Sequence, residues 1–316
     1  MEINLTVEVI FMVEEVYNLF YFSPDEKVIT HVGIVPHTIS GSDDDKLAFL
    51  KTHIYADLPS CKYYDVDPRA IGDSEYLTAR RFMALARSGE ATIVFELALE
   101  GVKAPSNPLI IYTAVVAGTI KIDSSTEINK PVRRDDFEAN IPPGVKEMPD
   151  YLNDYIVDGG FKIKELLVDD HVKPIHLLFN NKHYLSSVKL LMSFIDTLGF
   201  LEFGEVNKAF PMWLDKYCDL SVLQITSSEL YELRHSILHM TNLNSRKVVQ
   251  GVERRISYSI GPLGTPTRTH SGIVFFSYID FIHLLEAALD KWLATYDNDK
   301  VISFIERYDQ IVREQY

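Results

Sequence analysis

From Pro174 to the end of the chain, apolar residues recur every three or four positions, and this 3.6-residue period restricts the possible folds more than any other feature. Tyr184, Val188, Leu191, Ile195 and Leu198 fall on one helical stripe, and Val206, Phe210, Trp213 and Tyr217 on a second. Tyr278, Ile282, Leu285, Leu289, Trp292 and Tyr296 make a third, and Val301, Ile305, Tyr308 and Val312 a last. Another helix is predicted to open at Thr226-Ser227-Ser228-Glu229, where the Thr oxygen and the Glu carboxylate can each take a backbone donor as a capping box. Its stripe is Leu230, Leu233, Ile237 and Met240. Short connections between such helices favour an antiparallel bundle, which buries every stripe at once.

Before Pro174 the pattern changes. Alternation from Ile3 to Val9 and β-rich runs at Lys27–Val35, Ala91–Leu99 and Leu109–Ile122 predict strands, while Asp43–Ala56 and Ser74–Ser88 carry helical spacing. Ser42 or Asp43 is placed to cap the first of these helices, with Asp43, Asp44 and Asp45 at its positive end. Residues 128–150 gather Pro131, Pro142, Pro143, Gly144 and Pro149 among charges, a composition that breaks helices. The expected organisation is therefore α+β: a mixed α/β domain over 1–145, a connector over 146–173 and a helical bundle over 174–316.

Charge separates the same regions. The 31 Lys and Arg against 45 Asp and Glu give a net −14. Residues 1–170 hold 16 basic and 29 acidic side chains (−13), and 171–316 hold 15 and 16 (−1). Global acidity argues against a nucleic-acid partner, but only the first half carries it. Cys61 and Cys218 form no CxxC and no metal-ligand spacing, so a reducing compartment and no metal or cofactor are expected. The acidic first residues do not resemble a secretory signal, and the apolar run Leu109–Ile120 falls short of the roughly 20 residues a membrane helix needs. The expectation is a cytoplasmic protein without a membrane partner.

The residues that could carry chemistry lie on the capped helix. On a regular helix the Leu230, Leu233, Ile237 and Met240 stripe faces the bundle, which puts His235 and His239, four apart, together on the opposite side and Arg234 on the flank. An imidazole that titrates near neutrality can move a proton, and a permanently charged guanidinium can stabilise a pentavalent phosphate. Together they are the minimum equipment for metal-free RNA cleavage. From Thr241 to His270, Arg246, Lys247, Arg254, Arg255 and Arg268 are opposed only by Glu253, an excess that would draw a phosphate backbone. Alternation of Ile256, Tyr258 and Ile260 among glycines and prolines predicts a hairpin beside the motif. Tyr258 there either stacks on an unpaired base or packs within the hairpin.

The run Arg234-His235-Ser-Ile-Leu-His239, late in a helical bundle, resembles the motif of the HEPN superfamily, the RNA-cleaving helical domains of toxin–antitoxin, abortive-infection and CRISPR systems. The resemblance spans roughly residues 174–316. It implies a metal-independent endoribonuclease acting on single-stranded RNA, with Arg234 and His239 as the catalytic pair and His235 at the polar position that orients them. It also implies a homodimer through the C-terminal bundle, two motifs facing one cleft, and a toxin-like or antiviral role. RNA contacts would come from Arg246, Lys247, Arg254, Arg255 and Tyr258, and the acidic first domain would regulate the nuclease through a ligand or protein partner. Members of this family that have lost activity serve as dimerisation or ligand-binding modules, which is the alternative expectation. Asp43-Asp44-Asp45 lacks metal-site spacing, His31, His37 and His53 lack a paired spacing, and Gly159-Gly160 reads as a turn.

Overall fold

Strand β1 (Val13–Ser23) is buried continuously from Val16 to Phe20, as only a strand covered on both faces can be. A computed structural model of the chain describes residues 13–72, 74–127, 151–157, 160–240 and 245–313; the side chains of 122–127, 151, 239, 240, 312 and 313 lie outside the description. The strand expected over Ile3–Val9 and the proline-rich stretch 128–150 fall outside the described residues. Two units divide at Lys162/Ile163, inside the expected connector.

In the first unit β1 centres a five-stranded sheet. With β2 (His31–Ser40), β3 (Lys62–Tyr64), β4 (Leu109–Val116) and β5 (Thr119–Glu127), the order is β3-β2-β1-β4-β5. Only β1 and β4 run parallel, with Val16 opposite Leu109 and Ser23 opposite Val116. Helix α1 (Asp43–Asp57) covers one face, where Leu47 and Leu50 pack on Val16 and Ile111, and Ile54 on Phe20 and Val115. Of the two caps the sequence leaves open, Ser42 is the one used, and it forms a capping box with Asp45. The other face receives helix α2 (Ala79–Arg87) and an aromatic cluster in which Tyr21 and Phe82 lie 4.5 Å apart and Phe95 stacks on Tyr112.

Two expectations in this unit change. Ala91–Leu99 is no strand: Ala91–Phe95 is a 3₁₀ turn running into α3 (Glu96–Gly101). The residues it buries, Ala91, Val94, Phe95 and Ala98, follow helical spacing, and that burial outweighs the β-branched composition. Leu109–Ile122 is a hairpin rather than one strand, turned by Ala117 and Gly118, both at positive φ.

In the second unit α4 (Lys173–Asn180), α6 (Ala209–Tyr217) and α9 (Asn298–Arg313) pack on the long helix α5 (Tyr184–Phe203). A Cβ on Gly199 would lie 2.7 Å from the backbone of Ala209, so only glycine lets α5 and α6 approach this closely. Helices α7 (Ser227–His235) and α8 (Tyr278–Leu293) pack on α6. Val206, expected on the α6 stripe, precedes the helix and is exposed. Helix α5 is long and apolar enough to cross a membrane by length and composition, yet half of that stretch is buried inside the protein, as in the core helix of a bundle.

The segment expected as a hairpin forms a three-stranded sheet. Strand β6 (Ile256–Ser259) pairs in parallel with β8 (Ile273–Ser277), and β7 (Arg268–His270) pairs antiparallel with β8. The hairpin is thus β7–β8, turned by Ser271 and Gly272 at positive φ, while the Gly- and Pro-rich run 260–267 carries the chain from β6 to the far side of β8.

Candidate functional site

Helix α7 begins as the sequence dictates: Thr226 Oγ1 accepts from the Glu229 amide, and Glu229 accepts from the Thr226 amide. Leu230, Leu233 and Ile237 are buried on the expected side. The helix does not continue regularly. Ser236 Oγ donates to the Glu232 carbonyl at 3.0 Å, a back-bond that competes with the i→i−4 ladder, and Ser236–Met240 widens into a π-turn. This alters the geometry of the motif. Arg234 and His239, five apart, would stand about 140° apart on a regular helix at 3.6 residues per turn. A turn closed by i→i+5 bonds rotates less per residue and reduces that separation. The side chain of His239 lies outside the described residues.

Arg234 and His235 are half-buried rather than on an open solvent face. The Arg234 guanidinium donates from Nε to Asp196 Oδ2 of α5 at 2.7 Å, with side-chain exposures of 21% and 31%. Its Nη1 lies 3.5 Å from His235 Nδ1. A guanidinium can only donate, so a hydrogen bond here needs Nδ1 as its acceptor. The His235 ring also meets the Tyr231 ring edge-on at 4.5 Å, and Arg234 lies 5.9 Å from the Tyr231 centroid. An aromatic ring and a guanidinium both border the imidazole.

The basic segment after the π-turn is docked on α7 through ion pairs. Lys247 Nζ is 3.0 Å from Glu232, and Arg254 forks onto Glu229 while also donating to the Gln224 carbonyl at 3.0 Å. Burial would raise the Glu232 carboxyl, but the hydrogen bonds from Ser245 and Lys247 outweigh it and hold it below the usual carboxylate range. Glu229 and Glu232 are almost fully buried, so Lys247 and Arg254, expected to hold RNA, instead fasten the segment to the helix. Arg246 and Arg268 are exposed; Arg255 is half-buried, and its Nε has no hydrogen-bond partner among the described residues. Tyr258 packs its ring 5.6 Å from that of Tyr278, and burial raises its phenol pKa.

A second π-turn, Val168–Val172, precedes α4 where Pro174 lacks the N–H that would close a regular turn. Its His171 stacks on Phe194 of α5 at 4.4 Å and lies 3.4 Å from Tyr308 Oη, which donates to Asp170 at 2.7 Å. Burial depresses the His171 pKa to about 4, and Nδ1 has no hydrogen-bond partner among the described residues. No group of three or more His, Cys, Asp or Glu among the described residues is arranged to hold a metal ion, and both cysteines are free and buried.

Sequence reasoning missed Asp196, the partner of Arg234. Its signal was present: Asp196 is the one charged residue between Lys189 and Glu202 in an otherwise apolar helix. Comparison of the chain with protein-family models, curated proteins and solved structures found no match.

Proposed function

We propose that the second unit is a metal-independent endoribonuclease of HEPN type that cleaves single-stranded RNA, acting in the cytoplasm. The observation that carries this reading is Arg234, held by Asp196 beside His235 at the start of a widened turn that also contains His239. In the proposed reaction His239 accepts the proton of a ribose 2′-hydroxyl as that oxygen attacks the adjacent phosphate. Arg234 stabilises the charge developing on the phosphorane, and His235 keeps the guanidinium in place. The P–O5′ bond breaks and the leaving oxygen takes a proton from an imidazolium or water, giving a 2′,3′-cyclic phosphate and a 5′-hydroxyl. Arg246 and Arg255 supply the phosphate contacts, since Lys247 and Arg254 already serve Glu232 and Glu229. Two copies pair through the bundle in this reading, and the acidic first unit restrains the nuclease until a signal arrives.

The neutralisation of Arg234 by Asp196 favours one other reading, a non-catalytic HEPN-like module for dimerisation or ligand binding. One assay separates the two. A fluorescent single-stranded RNA incubated with the full chain and EDTA is expected to be cut, and His239→Ala or Arg234→Ala to slow cleavage by about 10²- to 10⁴-fold while the melting temperature holds. Cleavage that survives His239→Ala removes the motif from the mechanism.

A further inference from the structure

Helix α1 carries Phe49, His53 and Asp57 four residues apart on one stripe, and His37 of β2 meets all three. The spacing of the two histidines along the chain signals nothing, but the packing of α1 on the sheet brings their ring centroids to 5.9 Å. Each ring is fixed through one nitrogen. His37 Nε2 lies 2.8 Å from Asp57 Oδ2, in a carboxylate that is 7% exposed and also accepts from Asn18 Nδ2 at 2.6 Å. His53 Nδ1 lies 2.8 Å from the Phe49 carbonyl one turn back, and the Phe49 ring stacks on the His53 ring at 3.7 Å. Thr52 Oγ1, 3.1 Å from the same nitrogen, donates its own proton to that carbonyl.

An ionised carboxylate and a carbonyl only accept, so both hydrogen bonds use a ring N–H and leave a lone pair on the other nitrogen of each neutral imidazole: Nδ1 of His37 and Nε2 of His53. Neither nitrogen has a hydrogen-bond partner among the described residues, and neither is shut off from water. Metal-ligating histidines are held in this way, the second nitrogen donating to a carboxylate or a backbone carbonyl that sets the tautomer and orients the ring. Distance is an independent check. With metal–nitrogen bonds of about 2.0–2.1 Å and each nitrogen about 1.1 Å from its ring centre, two imidazoles on one ion have centroids about 5 Å apart at a tetrahedral angle and about 6.4 Å apart when opposed. The separation of His37 and His53 falls inside that window. We propose that His37 Nδ1 and His53 Nε2 bind one divalent transition-metal ion of the class that prefers imidazole, such as Zn²⁺, with water completing its coordination. Two protein ligands make an open, exchangeable site, and Asp57 is its positioning residue. The site belongs to the first unit and does not depend on the nuclease reading of the second.

The test uses the full chain with ¹⁵N-labelled histidine rings, above neutral pH where imidazole is free to bind metal. The ring nitrogens are followed by NMR while Zn²⁺ or Mg²⁺ is added, and His37→Gln and His53→Gln assign the two rings. Before metal, His37 is expected to carry its proton on Nε2 and His53 on Nδ1. Zn²⁺ is expected to shift His37 Nδ1 and His53 Nε2 together, with one Kd below about 100 μM, and Mg²⁺ to shift neither. Asp57→Asn is expected to weaken Zn²⁺ by about tenfold or more, and His53→Gln to weaken it further, while the other histidine rings respond as before. Should His37→Gln not fold, His53→Gln alone carries the test, since it must abolish the Zn²⁺ shift at a second ring. The proposal is overturned if Zn²⁺ moves only one of the two rings, if Mg²⁺ moves them equally, or if His53→Gln leaves the affinity at the partner ring within about twofold.

Discussion

Helix α5 is touched by two π-turns whose backbones are alike and whose surroundings are not. Phe194 carries His171 of the turn Val168–Val172, and Asp196 carries Arg234 at the head of the turn Ser236–Met240. Two residues apart on one helix, Phe194 and Asp196 point about 200° from each other, so the two turns flank opposite sides of α5. His171 is half-buried, stacked on a phenylalanine ring and near a tyrosine hydroxyl, and burial depresses its pKa to about 4. Arg234 retains partial exposure and a half-exposed counterion. A widened turn is thus compatible with a stacked imidazole as well as with an ion-paired guanidinium, and the neighbour on α5 decides which. Glu202, at the carboxyl end of the same helix, reinforces the lesson. It receives Lys216 at 2.5 Å, Tyr217 at 2.7 Å and Trp292 at 2.7 Å, and so ties α6 and α8 to α5.

Glu202 and His171 should act through stability. Glu202→Ala is expected to cost about 3 kcal/mol, since it leaves the Trp292 N–H and the Tyr217 hydroxyl buried without their acceptor, and chemical denaturation measures it. Burial pushes the Glu202 carboxyl up, but Lys216, Tyr217 and Trp292 together outweigh it and bring it to about 2 from 4.5. Its contribution is therefore complete above pH 4.5 and lost as pH falls toward 2. His171 runs the same way for a different reason. With a pKa of 6.5 unfolded and about 4 folded, the unfolded chain takes up a proton that the folded chain refuses, so stability falls as pH drops between those values. His171→Phe is expected to flatten that decline by about 2–3 kcal/mol in denaturation curves at pH 7 and pH 4, and to leave RNA cleavage unchanged. An unchanged pH slope would mean that burial does not hold the His171 pKa down, and the comparison would break.

Local chemistry was legible in the sequence and long-range pairing was not. The cap at the start of α1 and the capping box at Thr226–Glu229 need only residues within three positions of each other, and both form, the first with Ser42 as the cap. Ala91–Phe95 was misread because β-branched composition competes with the helical spacing of its buried residues. The parallel pairing of β6 with β8 escaped because alternation marks strands but not their order. At the site, Arg234, His235 and His239 were singled out by residue type. Arg234 is placed by an aspartate 38 residues away, and a Ser236 back-bond accompanies the widened turn that follows, neither of which a 3.6-residue template anticipates.

Asp196 gives the smallest effect and the sharpest separation. Asp196→Asn keeps an acceptor near Arg234 Nε and removes the charge, so a half-exposed pair of this kind should lose no more than about 1 kcal/mol of stability. If Asp196 orients the guanidinium for a developing phosphorane, kcat should fall about tenfold with KM within twofold, because only the transition state carries the extra charge. The sealed side of α5 predicts the reverse pattern for Glu202→Ala: lower stability, and normal kcat for the fraction that remains folded. A rise in kcat for Asp196→Asn would instead identify the carboxylate as a neutralising restraint on Arg234, and an unchanged kcat would place Asp196 with Glu202 among the groups that only hold the bundle together.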